Sequence, residues 1–195
     1  MPAATVLRGR HVELSVASAA DAGGIFAALD DDRVWVHVAG RPVDADGWAA
    51  LIAQRRAASD WCPWTVRLLQ PIAGLPAGAV VGSTSYLEVD PGAARGEIGA
   101  TTYAPAVWAT SVNPECKLLL LTFAFEELGF GRVQLKTDIR NLRSQRAIDR
   151  LGARYEGVLR RYQRRADGSV RDTVLFSITA EDWPGVRAGL RARLG

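Results

Sequence analysis

From Pro114 to Leu128 the chain reads "PECKLLLLTFAFEEL", a helical run that is apolar nearly all round. Such a helix has no face to give to water and must be buried. The segments around it supply the cover: Gly96 to Tyr103 before it and Arg132 to Thr137 after it read as strands. A buried helix between two strands needs a sheet with layers on it. The 195 residues suit one domain with a sizeable core, and no linker or internal repeat divides them.

The remaining segments extend the sheet. Leu7 to Val16 alternates at Val12, Leu14 and Val16 and reads as one strand, Trp64 to Leu69 and Val80 to Val89 as two more. Asp21 to Leu29 and Asp44 to Ala58 read as helices, separated by "DDDRVWVHVAGRPV", which carries Trp35 and His37 without a clear period. Asn141 to Leu151 is a short helix stopped by Gly152. Tyr155 to Tyr162 and Val170 to Thr179 flank Asp167-Gly168, a strong hairpin signal, and Glu181 to Leu194 is a last helix. This order predicts an α/β (α+β) architecture, with a mixed sheet of about seven strands and helices on both faces.

Composition removes several function classes. Apolar residues are 48% and charged residues 23%, as in ordinary soluble domains, and no apolar run has membrane-spanning length. The opening "MPAATVLRGR" lacks the apolar segment of a secretory signal, so a cytoplasmic protein without a membrane partner is expected. The net charge of +3 is carried mainly by arginine, densest from Arg140 to Arg171 and interleaved with apolar and acidic residues. That pattern predicts local anion sites, not a nucleic-acid face. Cys62 and Cys116 have no metal or disulfide spacing, and no metal is expected. There is no Walker lysine motif and no G-x-G-x-x-G turn.

Two segments carry chemistry. In "WATSVNPECKLLLL", Asn113 and Pro114 suit a helix start, and amides at such an N-terminus can hold a phosphate; a plain cap explains the same residues. In the second, Leu135 to Tyr162, "N-x-x-S" at Asn141 and Ser144 is followed by "LGA" at Leu151 to Ala153 and "EGVLR" at Glu156 to Arg160. With "GEIGATTYAPAVWA" and "DGSVRDTVLFSI", this ordered set resembles the GNAT acetyltransferases, and more narrowly their RimJ/RimL-like branch.

The resemblance implies a GNAT fold with a splayed pair of parallel strands that admits acetyl-CoA. It puts the pantetheine beside Thr101, Thr102 and Tyr103, and the pyrophosphate over Ala109, Thr110, Ser111, Val112 and Asn113. Family members usually have glycine or alanine where Ser111 and Asn113 stand. The resemblance adds a pantetheine bond to the capping role of Asn141, sets Ser144 near the thioester sulfur, and offers Arg143 and Arg146 to the 3'-phosphate. It also implies a homodimer and acetyl transfer to a primary amine, a protein N-terminus or a small molecule. A non-catalytic acyl-CoA-binding or sensing module is the alternative.

Transfer to an amine needs a base, a donor to the developing oxyanion and a proton for the leaving thiolate. Glu97 is the first candidate base and Glu88 the second, because both strands line the acceptor side in this family. Ser144 is the candidate proton donor, and Trp35 and His37 are candidate acceptor contacts, with Trp61 and Trp64 as further wall residues. Glu115 is unfavourable beside a phosphate but suits the helix dipole, and Lys117 is expected to offset it.

Overall fold

A computed structural model describes residues 5–165 and 167–195. The strands are β1 Val6–Arg8, β2 Val12–Val16, β3 Cys62–Leu68, β4 Val80–Asp90, β5 Arg95–Tyr103, β6 Arg132–Asp138, β7 Arg154–Arg164 and β8 Val170–Thr179. They form one sheet in the order β1-β2-β3-β4-β5-β6-β8-β7. Neighbours are antiparallel except β5 and β6. The helices are α1 Ala22–Leu29, α2 Asp32–Trp35, α3 Ala45–Ala57, α4 Val112–Thr122, α5 Leu142–Asp149 and α6 Trp183–Leu194.

The sheet has eight strands, not about seven, because Leu7 to Val16 is a hairpin. The alternation at Val12, Leu14 and Val16 belongs to β2 alone, and Leu7 across the turn is out of phase with it. The cause of the reversal lies in α4: the Glu115 carboxylate accepts the amides of Arg10 at 2.8 Å, His11 at 2.7 Å and Val12 at 2.8 Å. Gly9 makes room for it, since a Cβ there would meet Glu115 Cδ at 2.5 Å.

Alternate residues of β3 show the two layers. Trp64 packs edge-on to Phe123, in the π turn Phe123–Glu127 that continues α4, whereas Arg67 pairs with Asp21 at the entrance to α1. Helices α4 and α6 therefore cover one face, and α1 and α3 cover the first half of the other. The apolar run is buried as expected: Cys116, Leu120, Leu121 and Ala124 are inaccessible to solvent.

The parallel pair is short. It registers Arg95 with Arg132, Gly96 with Val133 and Glu97 with Gln134, and then stops. A bulge bends β5 at that point: Ser85 pairs with Gly99 but Ser83 with Thr102, and Ala100 takes φ +46°. From Ile98 onward β5 has no partner on its β6 side. The two strands lead into α4 and α5, whose N-termini stand on either side of the fork.

Candidate active site at the splayed strands

The first lip of the fork is the β5–α4 connection. Helix α4 starts at Val112 with Ser111 as its cap, so Asn113 is inside the first turn and is not the cap read from the sequence. Pro114 is tolerated there because amides of the first turn have no intrahelical acceptor. The one positive φ of the turn, +60°, falls at Ala109, whereas Ser111 has φ −66°. The usual glycine positions therefore take side chains without backbone strain.

Thr110 Oγ1 donates to Val107 O at 2.7 Å and accepts from Val112 N at 3.3 Å. Val112 is thus excluded as a donor, and its side chain is core. The amides of Ser111 and Asn113 keep no protein acceptor among the described residues. Glu115 faces away, into the β1–β2 turn, and His11 is structural beside it, with Nδ1 3.4 Å from Glu115 Oε1.

The second lip is α5. Asn141 caps it as expected, its side chain accepting Ser144 N at 3.0 Å, while the Ser144 hydroxyl is bonded to no described residue. Arg143 crosses the fork to lie over the Trp108 ring, 3.6 Å from its centroid, and Trp108 Nε1 donates to Tyr103 O at 2.9 Å. Arg146 is exposed.

Between the lips, Thr101 Oγ1 meets Thr84 Oγ1 at 2.7 Å and accepts from Lys117 Nζ at 3.0 Å. Lys117 therefore points inward and does not offset a phosphate; burial pulls its pKa down to about 8. Thr102 and Tyr103 are buried, leaving their backbone to the fork. Cys116 is core, and burial pushes its thiol up to about 12, where it is inert.

Where the parallel pairing ends, Lys136 Nζ lies 2.8 Å from Glu97, 2.6 Å from Glu88 and 2.6 Å from Tyr162 OH. Gln134 Nε2 donates to Glu88 at 2.8 Å and to Glu97 at 3.3 Å. The two candidate bases thus share one lysine, but only Glu97 is buried, at 4% exposure. Burial raises the Glu97 pKa, and the Lys136 bonds and charge oppose that rise. Lys136 would be lowered by burial, but its bonds to Glu88, Glu97 and Tyr162 hold it high and charged.

Trp35 and His37 come together in a small pocket closed by Gln163, Arg165 and Arg171 of the β7–β8 hairpin. Trp64 is in the core and Trp61 lies under Arg55, so neither joins them. Lys136, Gln134, Tyr162 and Arg171 escape sequence reasoning because they converge from three strands. A signal does exist: Gln134 and Lys136 interrupt the apolar positions of β6 in strict alternation. Among the described residues no cluster of His, Cys, Asp or Glu is fit to hold a metal, and no helix is long and apolar enough to cross a membrane.

Residues 11–154 match the family described as "Acetyltransferase (GNAT) domain". A protein from T. thermophilus, itself an acetyltransferase by inference, superposes with TM-score 0.86 at 36% identity, covering 100% of this chain and 98% of that one. Mycobacterium smegmatis RimJ in complex with CoA-disulfide shares the fold, with TM-score 0.80 at 23% identity over 97% and 93% of the two chains. An uncharacterized N-acetyltransferase p20 of Bacillus licheniformis is 26% identical over 106 residues, which span 54% of this chain and 58% of the relative. The chain belongs to the GNAT acetyltransferase family.

Proposed function

We propose that the protein moves an acetyl group from acetyl-CoA to a primary amine by direct transfer in a ternary complex, in the manner of the RimJ/RimL-like branch. The observation that carries this reading is the fork. The parallel pair parts just beyond a buried, lysine-clamped carboxylate, leaving an unpaired β5 edge between two helix N-termini.

The residues fit the co-substrate. The β6-side edge of β5 at Thr101, Thr102 and Tyr103, less the Tyr103 carbonyl that Trp108 holds, suits the amides of a pantetheine arm, with Asn141 adding a donor from α5. The free amides of Ser111 and Asn113 and the helix dipole suit a pyrophosphate at Ala109 to Asn113. Arg146, and Arg143 once it leaves Trp108, suit the 3'-phosphate. Acetyl-CoA supplies an activated acyl thioester.

The chain supplies the proton transfers. Glu97 takes the proton of the incoming ammonium, directly or through water; Glu88, half exposed, is the reserve. A β5 amide near Thr101 donates to the developing oxyanion, and the Ser144 hydroxyl protonates the departing sulfur and regains the proton that the nitrogen sheds as the amide forms. An α-amino group of pKa about 8 needs less help than a lysine-like amine near 10.4. The branch resemblance also supports a cytoplasmic homodimer, which sedimentation of the purified protein tests.

Calorimetric titration with acetyl-CoA, followed by thiol release over a panel of amines, tests the activity. Binding with amine-dependent release is expected. Failure to bind any CoA thioester overturns the reading, and binding without release for any amine reduces the protein to a binding or sensing module.

A further inference from the structure

The face of β6 and β8 that carries the Glu97 cluster continues toward the β7–β8 hairpin. In register, Lys136 lies beside Leu175 and Asp138 beside Thr173, so Arg171 is the next residue on that face, with Gln163 of β7 directly opposite it. The cations along this face pair with carboxylates: Arg132 with Glu156, Lys136 with Glu88 and Glu97, Arg165 with Asp138. Arg171 breaks the pattern. Its Nε donates to Thr173 Oγ1 at 3.0 Å, and its terminal nitrogens have no acceptor among the described residues. Asp138, beside Thr173 on the same face, is held by Arg165 at 2.6 and 3.0 Å.

The unpaired guanidinium faces the pocket under the segment Trp35 to Ala39. That cavity has about 30 Å³, more than the ~10–15 Å³ one water needs and too little for a whole side chain. It fits a head group the size of a carboxylate. A guanidinium with two free terminal nitrogens matches such a group in a fork. Trp35, Val36, Val38, Ala39 and Gln163 are neutral walls, and Arg165, whose charge Asp138 balances, closes the pocket. Burial lowers the Arg171 pKa, the charges of Asp138 and Glu97 oppose this and that of Arg165 adds to it, so Arg171 shares the electrostatic field of the candidate base.

We propose that Arg171 and this pocket bind a carboxylate carried by the acceptor, so that the substrate is an amine bearing an acidic group. The proposal rests on the acetyl-transfer reading above. The acceptor then meets opposite charges at two points: its ammonium approaches Glu97 while its carboxylate is held by Arg171. A neutral or polycationic amine lacks the second contact and meets the unpaired Arg171 instead.

The test offers the full chain matched acceptors, each as carboxylate and as amide: glycine through 5-aminovalerate, and amidated tripeptides with Glu or Gln at position one, two or three. In at least one pair the carboxylate should be preferred tenfold or more in kcat/KM. Arg171→Gln should bring that carboxylate down to the level of its amide, and Arg171→Lys should retain part of the preference. No pair favouring the carboxylate, or a preference that survives Arg171→Gln, overturns the proposal. If no amine releases thiol, the transfer reading fails by itself. The same carboxylates are then titrated by calorimetry, where tenfold weaker binding to Arg171→Gln supports the pocket and equal binding to both proteins overturns it. Melting temperatures of the variants confirm folding, since among the described residues the Arg171 side chain makes only the local bond to Thr173.

Discussion

Glu97 illustrates how burial and pairing together set one residue's chemistry. A carboxylate at 4% exposure is hard to keep charged, and burial moves its pKa upward; the adjacent Lys136 ammonium limits the rise. If Glu97 is the base, it works only when ionised, so the acid limb of kcat/KM must lie above the ordinary carboxylate value of about 4.3. Glu97→Gln should lower kcat/KM by about 100- to 10,000-fold and abolish that limb, because Gln cannot accept the proton. An unchanged acid limb in the variant would pass the role to Glu88. Lys117 gives a stability prediction at the same scale. Its folded pKa of about 8 is below the unfolded value near 10.4, so the unfolded chain holds more protons between those pH values. Stability from this group is therefore lowest below pH 8 and rises toward pH 10.4, by about 3 kcal/mol in all. Lys117→Met should be the more stable protein at pH 7, with the difference closing as pH rises. Cys116, pushed up to about 12, acts in the opposite sense and is coupled to Lys117, so the comparison is made in a Cys116→Ala background. Urea denaturation across that range checks the slope, and parallel curves would refute it.

Elements show what a sequence can and cannot reveal about this site. Gly152 at the end of α5, with φ +90°, and the Asp167-Gly168 hairpin are legible because the signal is in the residues that make the turn. Asn141 is legible as a cap for the same reason. The β1–β2 hairpin is not, because its determinant, Glu115, lies more than 100 residues away. Reading Glu115 only against a phosphate and a helix dipole misses that three amides already neutralise it. The start of α4 is misplaced by two residues because Asn113-Pro114 fits a cap as well as a first turn, and only the φ angles of Ala109 and Ser111 decide. The Lys136 cluster needs β4, β5, β6 and β7 in register before it exists at all. This pinning makes a prediction. Gly9→Ala forces a Cβ onto Glu115, and Glu115→Ala leaves three amides without their carboxylate acceptor. At about 1–3 kcal/mol for the buried Val12 amide and less for the part-buried amides of Arg10 and His11, Glu115→Ala should cost about 3 kcal/mol. That is a fall of roughly 6–12 °C in Tm for a chain of this size. On the proposed reading α4 carries the cofactor turn, so acetyl-CoA affinity should fall with it, and a Tm that barely moves would mean that water replaces the carboxylate.

At the scale of the molecule, the fork exists only when both layers are assembled. Helix α4 is held by the β1–β2 turn at one end of the sheet, α5 by β6 near the other, and the stack of Arg143 on Trp108 joins the lips across the gap. None of these parts alone holds two helix N-termini at one parted strand pair, so a ligand of the fork binds the native state and not the unfolded chain. Acetyl-CoA at about 100 times its Kd should then stabilise the protein by about 2.7 kcal/mol. At roughly 2–4 °C per kcal/mol this is a Tm rise of roughly 5–10 °C. Hydrogen exchange locates the effect. The amides of Ser111 and Asn113 and of the β5 edge from Ile98 to Tyr103 should gain protection first, because the ligand takes their open donors directly. The second core around Ile25, Trp48 and Ile52 should slow only by the global amount, since α1 and α3 lie on the opposite face from α4. Protection confined to α1 and α3, with none at Ser111 or Asn113, would move the cofactor out of the fork to the face that carries α1. The assignment of both lips would then fall together, because each is argued from the strands that part between them.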